Sequence, residues 1–440
     1  MRLPRLSALL PAVATVVAMT AAVPPATAAN PVTPGNITGY GFDQCVAPEQ
    51  WKMDRWMERS PFLAVGIYIS GRSRGCRTQP NLTPTWVSTQ LKKGWRLLPI
   101  TLGPQASCHP SFPRYGDDPT ISPDPDSNYS RARSQGRGEA STAVQAASNL
   151  GIVEGSTLWY DLEGFDISNT RCRESSLRFL SAWTTRVREL GYVSGVYSSA
   201  ASGIKMLDDA RVNRPRAFAL PDRIWIARWD GKANTSTSYI RSDGWLPGGR
   251  MKQYRGGHNE TWGGVTINID SNWLDLGRGS VAARESHCGG IQVNKRTYPR
   301  LSTYNDVEYP NHVKALKCLL KEKGFFDGAT INGTYGPVLT RAVQAWQARY
   351  GYQRTTDWRP RNWQRLTAQG RWQTLKTGSA GSFVRKAQRS LNSMGHNLVV
   401  SGVYNAATRD AVTAYQRSTG MTVTGIAGTQ VWDGLRRGVR

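Results

Sequence analysis

Between residues 40 and 270 the chain alternates short apolar runs with longer amphipathic ones. This rhythm limits the possible folds more than any other feature. The stretches Tyr40–Asp43, Phe62–Ile69, Trp95–Gly103, Thr157–Gly164, Val193–Ser199, Ile224–Asp230, Arg250–Tyr254 and Val265–Asp270 read as strands. Helical patterns lie at Pro48–Arg59, Pro84–Lys93, Glu139–Leu150 and Ser175–Leu190. The last puts Leu177, Leu180, Trp183, Val187 and Leu190 on one face, with Gly191 as its stop. Eight strands in about 240 residues, alternating with helices, predict an α/β fold, a (β/α)8 TIM-like barrel. The later connections are too short for full helices, so a degenerate second half is expected. A doubly wound open sheet is the competing arrangement. No G-x-G-x-x-G turn follows the first strand, and no cofactor is expected.

Within that pattern, TLWYDLEG (Thr157–Gly164) reads as a buried strand ending in two acids, Asp161 and Glu163. Residues two apart on a strand share a face, which puts the two Cα atoms roughly 6.5–7 Å apart. Paired carboxylates suit acid-catalysed cleavage of a glycosidic bond, although a strand end with two solvated acids would look the same. The barrel reading distinguishes the two, because active sites in that fold gather at the C-terminal strand ends. Asp43, Tyr197, Trp229, Gln253, Tyr254 and Asp270 all end predicted strands. Acids and aromatic residues therefore converge on one rim. Glu163 is the expected general acid, its pKa raised by burial or by Asp161. Asp161 or Asp270 would stabilise the oxocarbenium-like state or position water, and Asp43 would orient substrate or the acids. Tyr197, Trp229, Gln253 and Tyr254 are expected substrate contacts; for the aromatic residues, core filling is the rival role. Asp230 reads as a loop acid and Asp166 as a spare carboxylate.

Several of these stretches carry a resemblance. GFD (Gly41–Asp43), YDLE (Tyr160–Glu163), IWIARWD, KQY (Lys252–Tyr254) and IDSN (Ile269–Asn272) resemble the family 25 lysozymes, which are N-acetylmuramidases. GFDQC, AVGIYI, WRLLPI, SAWTTRV and YVSGVYSSAASGI resemble more closely a glycoside-hydrolase-like domain of secreted bacterial proteins related to those lysozymes, of unproven activity. The resemblance implies that Asp43, Asp161, Glu163 and Asp270 line a sugar cleft with Glu163 as proton donor. Cys45 stands where the lysozymes usually carry Ser, and Pro104–Gly138 is a long insertion after strand three.

The C-terminal part is a duplication. Gly333, Tyr335, Ala342, Val343, Ala345, Gln347, Gly351, Trp363 and Leu366 recur as Gly402, Tyr404, Ala411, Val412, Ala414, Gln416, Gly420, Trp432 and Leu435, every pair 69 residues apart. Each copy reads as three helices and resembles the peptidoglycan-binding type 1 domain. The expected organisation is a signal peptide over 1–29, a barrel over 30–280, and small three-helix modules over 286–370 and 371–440.

Composition adds the compartment. Arg2 and Arg5, an apolar run to Val23 and Ala26-Thr27-Ala28 read as a secretory signal peptide with its cleavage site. Six cysteines, none in C-x-x-C, fit an oxidising compartment and argue against a metal site. Cys288 with Cys318 is expected to close the C-terminal bridge. Cys45, Cys76, Cys108 and Cys172 allow three pairings, of which Cys45–Cys76 with Cys108–Cys172 is the working choice. Of the formal net charge of +25, residues 281–440 contribute +16, from 24 Lys and Arg against 8 Asp and Glu. Such a region attracts anionic polymers: teichoic acids, nucleic acid or anionic membrane. Export disfavours nucleic acid, and no membrane anchor is expected after cleavage. The function expected is hydrolysis of peptidoglycan by a secreted or wall-associated protein. The alternative is a non-catalytic wall-binding pseudoenzyme.

Overall fold

The structure is a computed structural model that describes residues 29–116 and 118–440. The expected signal peptide lies outside the described residues except for Ala29. Eight strands close a barrel: β1 (Ile37–Asp43), β2 (Ala64–Ser70), β3 (Arg96–Thr101), β4 (Thr157–Asp161), β5 (Val193–Ser199), β6 (Arg223–Ala227), β7 (Gly249–Trp262) and β8 (Val265–Leu276). Strands β1 to β7 run parallel in sequence order, and β8 closes the wall between β7 and β1. Helices α1 (Gln50–Arg59), α2 (Pro84–Lys93), α3 (Asp126–Asn149), α4 (Thr170–Glu189) and α5 (Lys205–Asn213) connect the earlier strands. Strands such as β4 are buried along their whole length, as expected for parallel strands inside a ring of helices.

The degenerate half takes a definite form. β7 and β8 make a long hairpin through Gly263 and Gly264, so β8 runs antiparallel to both its neighbours. Asp270 therefore does not end the last strand. It sits within β8, directly opposite Asp43 at the end of β1. The first half of β8 and the end of β7 project past the rim. The expected strand ended at Tyr254, whereas β7 runs on through Gly256-Gly257 to Trp262. In the structure this pair forms an irregularity in the ladder beside Asp270, the kind of bulge that re-aims a side chain. α3 also starts earlier than expected, inside the insertion after β3. Two-residue strands at Gln105–Ala106 and Thr120–Ile121 pair in that insertion, and Cys108–Cys172 ties it to α4. The other bridges are Cys45–Cys76 and Cys288–Cys318.

The C-terminal region is helical: α6 (Pro310–Glu322), α7 (Pro337–Arg349) and α8 (Pro360–Ala368), then α9 (Ser382–Asn392), α10 (Ala406–Ser418) and α11 (Thr429–Arg437). The repeat has a packing cause. Trp363 and Trp432 are fully buried at the centres of two separate apolar clusters. Gln347 accepts from Thr355 N and donates to Asp357 O, while Gln416 accepts from Thr424 N and donates to Ile426 O. One glutamine per copy thus pins the turn that follows α7 or α10.

The second module docks under the barrel, at the end where β1 and β2 begin. Lys376 reaches into the barrel, wholly buried, and donates to the carbonyls of Trp56, Ser60 and Phe62 at 3.2, 2.8 and 3.0 Å. These carbonyls end α1 and lead into β2, where a cation suits the helix C-terminus. Its ammonium also lies 5.3 Å from the Trp95 ring. The catalytic-looking rim is at the opposite end of the barrel.

Candidate active site

Strand register builds the centre of the site. Asp43 faces Asp270 across the antiparallel β1–β8 pair, and Asn272 faces Gln253 across β8–β7. Space for Asp43 comes from Gly66 on β2, where an added Cβ would lie 2.4 Å from the Asp43 Cβ. Gln253 is oriented by two donors on its oxygen, Tyr197 Oη at 3.0 Å and Trp229 Nε1 at 2.9 Å. Its Nε2 therefore points to the carboxylates, at 3.3 Å from both Asp43 Oδ2 and Asp270 Oδ2. Asn272 accepts from Trp225 Nε1 at 2.7 Å and so donates to Asp43 Oδ2 at 2.6 Å. The bulge aims the Gly257 N–H at Asp270 Oδ1, 2.5 Å away.

The electrostatics follow from burial. Burial, then the neighbouring Asp270, pushes the Asp43 carboxyl well above the usual carboxylate range, against the hydrogen bonds from Asn272 and Gln253. Asp270 is raised by burial but opposed by the Gly257 N–H and by a hydrogen bond with Asp43. Two carboxyl groups joined in this way oppose each other's ionisation. Glu163 is raised, first by burial, while the Arg114 guanidinium pulls it back down.

Glu163, Asp43 and Asp270 line one cleft with about 720 Å³ of free space, together with Tyr68, Arg114 and the Cys45–Cys76 bridge. Asp161 is not on that lining. β4 ends at Asp161, so the two acids are not neighbours on one strand face. The Asp161 side chain is buried below the cleft and accepts from Tyr68 Oη at 3.3 Å, and its Oδ1 has no partner. Burial, then Glu163 and Asp43, pushes its carboxyl far up. The turn between the acids is fixed by Gln105, which donates to Asp161 O and accepts from Glu163 N, both at 2.8 Å.

The remaining expected contacts divide. Tyr197 is at the end of β5 behind Gln253, and Trp229 is an exposed aromatic at the rim, packed over Gly256. Tyr254 is not in the cleft; it lies beside Tyr40 and Ser271 on the outer side of the wall. Asp230 pairs with the buried Lys252 at 3.0 Å, and Asp166 is exposed and caps its own turn at Ser168. Sequence reasoning missed Tyr68, Gln105 and Arg114. Tyr68 alone had a signal: it is two residues from Gly66 on the same strand face. Cys108, in the same insertion as Gln105 and Arg114, is held in a disulfide and offers no free thiol. The cluster of His287, Cys318 and Glu322 has metal-like spacing, but Cys318 is in a disulfide and offers no thiolate.

The family described as "Rv2525c-like, glycoside hydrolase-like domain" matches residues 54–274, and "Putative peptidoglycan binding domain" matches 310–358 and 380–435. Among solved structures, an uncharacterised B. stearothermophilus protein is 17% identical, over 54% of this chain and 95% of its own, at TM-score 0.33. The Mycobacterium tuberculosis Tat-secreted protein Rv2525c, in complex with L-tartrate, is 12% identical over 54% and 95%, at TM-score 0.36. The modular autolysin LytC from Streptococcus pneumoniae is 11% identical over 54% and 47%, at TM-score 0.34. No curated protein matches. A glycoside-hydrolase-like barrel joined to peptidoglycan-binding domains supports a wall-associated role and a cell-wall polysaccharide partner. No helix among the described residues is long and apolar enough to cross a membrane.

Proposed function

Because the chain belongs to the Rv2525c-like, glycoside hydrolase-like family, we propose that its barrel cleaves glycosidic bonds in the glycan strands of peptidoglycan. The helical modules hold it on the exported wall. The observation that carries this reading is the division of labour among acids in one cleft. Burial raises Glu163, which favours its acid form, while the Gly257 N–H and Asp43 pull Asp270 back toward its charged form. Environments that separate two carboxyl roles are what acid catalysis of this bond needs. Glu163 gives its proton to the leaving oxygen as the C–O bond breaks, and water then adds to the anomeric carbon and gives its proton to a cleft carboxylate, which completes the hydrolysis. The charge on the Asp43–Asp270 pair stabilises the positive sugar ring, and Gln253 fixes its position. Trp229 offers an exposed face for a neighbouring sugar.

The withdrawal of Asp161 from the cleft favours a second reading, a lectin-like barrel that binds the glycan without cutting it. Incubating purified walls with wild type and with Glu163→Gln separates the two. New reducing ends from wild type alone, with both proteins sedimenting on the walls, support hydrolysis. Sedimentation without reducing ends from either protein supports the lectin.

A further inference from the structure

A second binding feature lies far from the cleft, at the junction of the two helical modules. Lys323, just after α6, and Lys386, on α9, reach the same point above Gly370. A Cβ placed on that glycine would be 3.9 Å from each ammonium nitrogen. Lys386 Nζ donates to the Arg371 carbonyl at 2.6 Å. Among the described residues no carboxylate pairs with either lysine, whereas the nearby Arg436 is paired with Asp433. The Lys386 ammonium is half-buried, and burial followed by Lys323, Arg389 and Arg436 pushes its pKa down to about 8. Folding therefore holds two like charges together with nothing of opposite sign between them. Trp372 follows directly in the chain, stacks on Trp432 with centroids 6.4 Å apart, and has the Arg436 guanidinium 5.9 Å from its ring. The same tryptophan lines a groove with about 900 Å³ of free space between this module and the barrel, whose far wall carries Lys92 and Arg55 beside Glu58 and the Lys93–Asp54 ion pair.

We propose that this junction binds a phosphodiester-bearing polymer of the cell wall, with Lys323 and Lys386 on successive phosphates and Trp372 against the intervening sugar or polyol. Two ammonium groups are compact point charges, the form in which lysine binds phosphate. An aromatic face beside them adds contact with C–H groups. Such an anion relieves the repulsion between the lysines, so part of the binding free energy is already stored in the free protein. Wall polymers are favoured over nucleic acid by the peptidoglycan-binding domains on either side.

The test is titration of the full chain with soluble poly(glycerol phosphate), followed by tryptophan fluorescence. Polygalacturonate and single-stranded DNA of equal charge are the comparators. The double variant Lys323→Glu/Lys386→Gln is expected to bind at least about tenfold more weakly, with a shallower salt dependence. Trp372→Ala is expected to weaken binding while leaving that salt dependence intact. Arg341→Gln, which removes an exposed charge elsewhere on α7, is expected to bind as wild type does. Thermal melting of each variant confirms that it is folded. Wild-type affinity in the folded double variant overturns the proposal, as does equal binding of polygalacturonate or tighter binding of DNA.

Discussion

At the scale of single residues the site depends on carboxyl groups whose pKa values burial raises. Asp161 is the extreme case, with one oxygen unpartnered. Its folded pKa is raised above the unfolded value of about 3.9. The native state therefore binds the extra proton, and its contribution to stability is full below that value and lost as pH rises through the folded pKa. Asp161→Asn keeps the hydrogen bond with Tyr68 and removes the charge. Its melting temperature should fall less than that of wild type as pH rises above about 4. Arg114 has the opposite role, because it lowers the Glu163 pKa. If Glu163 is the acid, activity declines as pH rises through its pKa. Arg114→Gln should move that decline to higher pH, read from the rate of glycan cleavage against pH. The gathering of Asp43, Glu163 and Asp270 at one rim was legible in the sequence because residues at the C-terminal ends of barrel strands meet at one end of the barrel. Gln105 and Arg114 were not, because they come from an insertion with no periodic pattern, and only the folded loop shows which way they point.

At the scale of elements, the strands were legible because parallel strands buried on both faces must be apolar throughout. The direction of β8 was not. A Gly-Gly pair serves equally well as a turn or as a bulge, and only pairing across the wall distinguishes them. Asp270 thus reached the expected rim by a different route, from within an antiparallel strand. The dock between barrel and second module was also invisible, since one lysine among the many basic residues of this region carries no mark. Lys376 donates to three carbonyls at the end of α1 and the approach to β2. Replacing it by Met leaves buried carbonyls without their donor, at a cost of roughly 1–3 kcal/mol. Calorimetry of Lys376→Met should resolve separate transitions for barrel and module where wild type melts as one unit.

At the scale of the whole molecule, the cleft opens at one end of the barrel and the second module covers the other. The first module has its own clamp, Cys288–Cys318, which spans 30 residues of chain. A loop of that length contributes roughly 3–4 kcal/mol in the chain-entropy picture. Replacing both cysteines by Ser should therefore lower wall sedimentation and the stability of this module, and leave cleavage of a soluble oligosaccharide unchanged. The central claim concerns the proton on Glu163, and leaving-group dependence tests it most directly. Initial rates of wild type and Glu163→Gln would be compared on wall glycan and on an N-acetylated aryl glycoside whose phenolate departs without protonation. The account predicts a loss of about 10²–10⁴-fold on the glycan and little loss on the aryl glycoside. Equal losses on both substrates, or no cleavage of either by wild type, would contradict it.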